Sequence, residues 1–216
     1  MEIIDPWSPI IFRDSYLGTD FKKMIERYKT FEKDIPGNGD VERDGGQSSV
    51  SYSRTTHDHP HLWPELEGFR NHLDSILDEV LTRWQINGIP YRPTDSWMNE
   101  HPKGAWTDEH NHKGANFVVV YYIHVPENSG TLMVRDPMEY HWGGSHGMQI
   151  RGTTGDSIWY HIGPVKTGDI IMFPGWIYHK TEKNQVDESR YVMSINFSSV
   201  RMNTKHLEDN NNKVYG

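Results

Sequence analysis

The 216 residues carry a formal net charge of −8, with 24% charged and 35% hydrophobic side chains and no cysteine. That length suits one domain with a large core, or at most two small ones, and that balance suits a folded globular chain. Disulfides and thiolate metal ligands are excluded, so a metal site here needs His, Asp or Glu; with no dense Lys/Arg cluster, nucleic acid is a poor partner.

No stretch approaches the roughly 18 apolar residues that span a bilayer. The opening MEIIDPWSPIIF lacks a basic segment followed by an apolar one, so neither a signal peptide nor a membrane partner is expected. The lack of cysteine agrees with a reducing cytoplasm. Thirteen His and eight Trp are many for this length and prompt a search for metal ligands.

TDFKKMIERYKTF (19–31) places Phe21, Met24, Ile25 and Tyr28 at helical spacing, with Thr19 or Asp20 as the cap. PGNG ends it. SSVSYS (48–53) reads as a short strand. HDHPH (57–61) alternates His57, His59 and His61, but Pro60 interrupts the run, which favours a loop over a metal site. PELEGFRNHLDSILDEVLTRW (64–84) is the clearest helix, with Leu66, Phe69, Leu73, Ile76, Leu77, Val80, Leu81 and Trp84 in one stripe. Pro64 suits its first turn and Asn87-Gly88 its end.

From about residue 95 the period becomes strand-like. SWMNE, NFVVVYYIHV, GTLMVR, SIWYHI, DIIMF and RYVMSINFSS are short strands separated by Gly, Pro or Asn. Helices followed by strands predict an α+β domain, mainly β, with helices buttressing a sandwich or barrel. The long Gly-rich segment 137–156 is a candidate cover for a binding site. The tail 201–216 is polar.

The chemistry concentrates in TDEHNHKGANF (107–117). Asp108, His110 and His112 alternate, so on an extended backbone they share one face. Such a pair of imidazoles suits a facial metal site, or it is polar decoration at the mouth of a strand. A third ligand can come from GDIIMFPGWIYHKTEKN, where His179 follows an apolar strand and a Pro-Gly turn. In RYVMSINFSS, Arg190, Val192, Ser194 and Asn196 alternate with Tyr191, Met193, Ile195 and Phe197. An Arg190 aimed inward is costly unless it meets an anion; the alternative is an exposed strand face. His101, His141, His146 and His161 have no spacing that singles them out.

Taken in order, SWMNEHPKGAWTDEHNH, VVVYYIHVPENSGTLMVRDP, KTGDIIMFPGWIYHKTEKN and ESRYVMSINF resemble the 2-oxoglutarate- and Fe(II)-dependent oxygenases, in a branch akin to prolyl 4-hydroxylases found in marine bacteria and their phages. The upstream GGQSS and the helix ending in LTRW fit as well, so the likeness spans about residues 8–200. It implies a double-stranded β-helix, or jelly roll, with N-terminal helices packed on one side. The expected layout is one oxygenase-like domain over 1–200, with a helical buttress at 15–90 and a jelly-roll core at 93–200.

Carried over by residue, the resemblance makes His110 and His179 the metal histidines. His112 takes the position that most relatives fill with Asp or Glu. Arg190 becomes the partner of the distal carboxylate of 2-oxoglutarate, and Asn99, Tyr122, Ser194 and Asn196 line the cosubstrate pocket. Asp108 is the alternative third ligand, or an orienting neighbour of His110. Three neutral imidazoles would leave the site near +2, attracting a dianion more strongly than a site with a carboxylate. The implied cofactors are Fe(II) and 2-oxoglutarate, and the partners O2 and a peptide or small-molecule substrate, within the cytoplasm of the cell or of a phage host. Two other readings fit parts of the pattern: a three-His cupin-type dioxygenase without 2-oxoglutarate, and a non-catalytic jelly-roll binding module.

Overall fold

The computed structural model describes residues 11–31, 46–84, 90–137 and 158–200. The chain is a mainly β, double-stranded β-helix with helices on one face. The major sheet contains β1 (Phe12–Ser15), β2 (Gln47–Ser48), β3 (Tyr91–His101), β4 (Phe117–His124), β7 (Asp169–Pro174) and β9 (Arg190–Ser199), in the order β1-β7-β4-β9-β3-β2. The minor sheet contains β5 (Leu132–Arg135), β6 (Trp159–His161) and β8 (His179–Thr181), in the order β6-β5-β8. All the pairings are antiparallel.

Strand alternation sorts side chains into two cores. From β4, Phe117, Val119, Tyr121 and Ile123 face the helices, while Val118, Val120 and Tyr122 face the minor sheet. In β7, Ile170 and Met172 go one way, Ile171 and Phe173 the other. Both strands are buried on two faces, which is why FVVVYYI and DIIMF read as continuous apolar runs. In β9, Tyr191, Met193, Ile195 and Phe197 join the helix-side core and Val192 the inter-sheet core.

The helix-side core is closed by α1 (Phe21–Tyr28), through Met24 and Tyr28, and by α3 (Glu67–Arg83), through Phe69, Leu73, Ile76, Leu77 and Val80. Phe69 stacks on Tyr121 of β4 at 4.1 Å. Asp20, one of the two expected caps, accepts from the Lys23 amide at 3.1 Å. Pro64–Leu66 is a 3-10 turn leading into α3. Asn87-Gly88, segment 138–157 with the expected cover, and tail 201–216 lie outside the described residues.

One element differs in type from the sequence expectation. Of the segment 48–53, expected as a short strand, only Ser48 pairs with β3, as part of Gln47–Ser48; Val50–Thr56 forms α2. Val50 and Ser53 are buried one turn apart, and the Thr55 and Thr56 hydroxyls return to carbonyls one turn back. The alternation of Ser with Val and Tyr thus mimics a strand, but burial follows the helical period. Strands β1, β2 and β8 have no apolar run to mark them in the sequence, being FRDS, QS and HKT. Among the described residues no helix is long and apolar enough to cross a membrane.

Candidate metal centre

Two distant segments meet at the mouth of the cavity between the sheets. The 107–112 segment runs alongside β8: His110 and His179 exchange backbone hydrogen bonds of 3.0 and 2.9 Å, and Thr181 N donates to Thr107 O at 3.1 Å. Farther on, His112 N donates to Gly175 O at 2.9 Å and Gly175 N to Asn116 O at 2.9 Å. The Pro174-Gly175 turn must allow this approach. A Cβ on Gly175 would lie 2.3 Å from the Ala115 carbonyl oxygen, so only glycine fits.

The result is a cluster of His110, His112 and His179, with one potential ligand nitrogen from each all within 4.8 Å of one another. His179 and His112 are buried and His110 half-buried. Each ring has Nδ1 committed elsewhere. His110 Nδ1 meets the Asp108 carbonyl at 2.7 Å, His179 Nδ1 the Ile177 carbonyl at 3.0 Å, and His112 Nδ1 the Asn196 Oδ1 at 2.6 Å. Carbonyl oxygens only accept, so Nδ1 carries the proton and Nε2 keeps its lone pair. Burial pushes the His179 pKa well below its ordinary value, and the neighbouring His110 and His112 push it the same way, with the Ile177 carbonyl opposing. The ring stays neutral at neutral pH, as a metal ligand must.

Asp108 contributes differently. Its backbone carbonyl orients His110, while its carboxylate accepts from Trp106 Nε1 at 2.8 Å and stands outside the three-histidine cluster. The HDHPH histidines are also elsewhere: His61 Nδ1 lies 2.7 Å from Ser96 Oγ, and His59 Nδ1 3.3 Å from Asp95. His101 is buried against Thr107, and His161 lies beside Glu182. His141 and His146 lie outside the described residues.

Behind the histidines is a cavity of about 420 Å³, lined by Asn99, Val120, Tyr122, Arg190, Ser194 and Asn196 among others. A cavity of that size suits a small molecule. Arg190 is 1% exposed and points into it. Its guanidinium donates to the carbonyls of Ser129 and Glu182, which fix the direction of the fork. Gly130, at φ +85°, makes room for it; a Cβ there would sit 3.0 Å from Arg190 Nη1. Tyr122 is buried in the same wall, its pKa raised by burial and pulled back by Arg190.

Comparison with known proteins agrees with this geometry. Residues 95–196 match the family model described as "Putative 2OG-Fe(II) oxygenase". That matched span runs from β3 to β9 and contains His110, His112, His179 and Arg190. No curated relative matches its sequence. In fold, the chain is similar to a prolyl-4-hydroxylase from Pseudomonas putida, with TM-score 0.56, 13% identity, and 88% of this chain and 92% of that one covered. It is likewise similar to a prolyl hydroxylase from Trichoplax adhaerens in complex with a hypoxia inducible factor peptide, with TM-score 0.57, 12% identity and coverage of 90% and 86%. HygX from Streptomyces hygroscopicus, with nickel and 2-oxoglutarate bound, matches at TM-score 0.53 and 9% identity, with coverage of 89% and 84%.

The site can be compared with the chemistry that the family model describes, 2-oxoglutarate- and Fe(II)-dependent oxygenation. Its donor set fits that chemistry: neutral imidazoles suit Fe(II), and a buried guanidinium suits a dicarboxylate. The cavity wall also takes in residues that the sequence pattern does not single out, Trp97 among them. Trp97 lies parallel to the His112 ring, at 5.6 Å and 15°, and lines the cavity. The signal was present, since Trp97 and Asn99 alternate on β3 and share a face.

Proposed function

We propose that this chain is an Fe(II)- and 2-oxoglutarate-dependent oxygenase that hydroxylates a C–H bond of a prolyl residue, a peptide or a small molecule, with 2-oxoglutarate converted to succinate and CO2. His110, His112 and His179 hold Fe(II) through Nε2, and Asp108 serves His110 only through its carbonyl. Arg190 grips the far carboxylate of 2-oxoglutarate with its fork, a charge-assisted and directional pair. Asn99, Tyr122 and Ser194 supply the polar wall around that diacid. Together the metal and cosubstrate, when bound, supply O2 activation; the protein positions and shields them. The observation that carries this reading is the joint lining of one cavity by three clustered imidazoles and one buried guanidinium. That guanidinium also favours a diacid cosubstrate over a three-His site that binds substrate directly. The lack of cysteine supports a cytoplasmic setting.

The test is succinate release by iron-loaded protein given 2-oxoglutarate and O2, with prolyl peptides and small metabolites as candidate substrates. The expected result is succinate above the Arg190→Ala level, with a product one oxygen atom heavier. Succinate equal to that control for every candidate, together with no heat on titrating 2-oxoglutarate, would defeat the proposal.

A further inference from the structure

The three imidazoles are anchored unequally. His110 and His179 donate to backbone carbonyls two residues away, so their orientation is fixed by the local chain. His112 donates instead to a side chain, Asn196 Oδ1 at 2.6 Å, from a strand 84 residues away in sequence. Trp97 covers the His112 ring in parallel. The side-chain anchor is also uncharged. In the common arrangement of a ligating histidine backed by a carboxylate, the second group adds negative charge to the site; here an amide stands in that place. Among the described residues no carboxylate joins the cluster either.

We propose that Asn196 is a positioning residue that makes His112 an Nε2 ligand while leaving the site's positive charge undiminished for an incoming dianion. The inference rests on the three-histidine reading above and goes beyond it. Asn196 acts through His112 rather than on 2-oxoglutarate. Two properties follow with opposite signs. An accepting oxygen at position 196 is needed for metal affinity, and a charged one there strengthens metal binding while weakening 2-oxoglutarate binding. A residue that only filled space would move neither in this pattern.

The experiment is anaerobic titration of the full chain with Co(II), read by its visible d–d bands and by chelator competition, followed by calorimetric titration of 2-oxoglutarate into the Co(II) form. Wild type, Asn196→Asp and Asn196→Leu are compared, with folding checked by the melting of the metal-free proteins. Asn196→Leu is expected to bind Co(II) about 10- to 100-fold more weakly, with altered bands. Asn196→Asp, isosteric and still an acceptor, is expected to bind Co(II) at least as tightly as wild type and 2-oxoglutarate more weakly. A folded Asn196→Leu protein with wild-type Co(II) affinity and bands overturns the inference alone. So does an Asn196→Asp protein that binds Co(II) more weakly, whether or not the leucine variant folds. Wild-type protein that binds no Co(II) overturns this inference and the three-histidine reading together.

Discussion

On the proposed reading, replacing Arg190 separates 2-oxoglutarate binding from metal binding in the cavity. The side chain is 1% exposed, and its direction is set by the Ser129 and Glu182 carbonyls. Hydrogen bonds to charged groups contribute about 1.5–3 kcal/mol each, so a bidentate grip on a carboxylate is worth roughly 4 kcal/mol. Arg190→Met removes both bonds and the charge, and is expected to weaken 2-oxoglutarate binding by about 1,000-fold. Arg190→Lys keeps the charge but loses the fork, a loss of about 2 kcal/mol or roughly 30-fold. The methionine variant also deprives two buried carbonyls of their donor, at about 1–3 kcal/mol each, so its melting temperature should fall as well. The assay is calorimetric titration of 2-oxoglutarate into anaerobic, Co(II)-loaded protein. Co(II) affinity should stay near wild type in both variants, because the candidate ligands are the three imidazoles. A folded Arg190→Met protein that binds 2-oxoglutarate within about threefold of wild type would refute the reasoning.

Other expectations test separate parts of the account. His61 is buried and its pKa is lowered to about 4, by burial first and then by the charges of His59 and Arg70. The folded state therefore keeps it neutral where the unfolded chain, near 6.5, takes up a proton. Its contribution leaves stability unaffected above about pH 6.5 and lowers it by up to about 3 kcal/mol as pH falls toward 4. His61→Gln should flatten part of that slope in chemical denaturation at a series of pH values, and an unchanged slope would contradict the assignment. His59→Gln should leave Co(II) affinity unchanged, since HDHPH lies apart from the cluster; a loss on titration would reinstate it as a ligand run. Phe69→Ala, emptying a fully buried site stacked on Tyr121, should cost about 3–5 kcal/mol by denaturant melts while sparing the Co(II) affinity of the folded protein.

What the sequence disclosed depended on how each signal is carried. The stripe on α3 and the double-sided runs of β4 and β7 are long, so periodicity located them. The alternation in β9 divides Arg190, Val192, Ser194 and Asn196 from the helix-side residues, and the division holds in the fold. Two-residue spacing put His110 and His112 together, but the third histidine sits on a strand of three residues that no periodicity reveals. Its encounter with His110 is made by backbone pairing and the close approach at Gly175, both of which are long-range. The Ser-rich segment 48–53 misled because serine is polar on either periodicity, leaving Val50 and Ser53 to show the helix only through burial. Asn196 sharing a hydrogen bond with His112 was equally invisible, since 84 residues separate them.

The most direct test of the three-imidazole site is X-ray absorption of the anaerobic Fe(II)-loaded protein beside its His112→Ala and Asp108→Asn variants. The account predicts three imidazole nitrogens around iron, two after His112→Ala and three again after Asp108→Asn. Two imidazoles and a carboxylate oxygen in the wild type, changed by Asp108→Asn and not by His112→Ala, would contradict it.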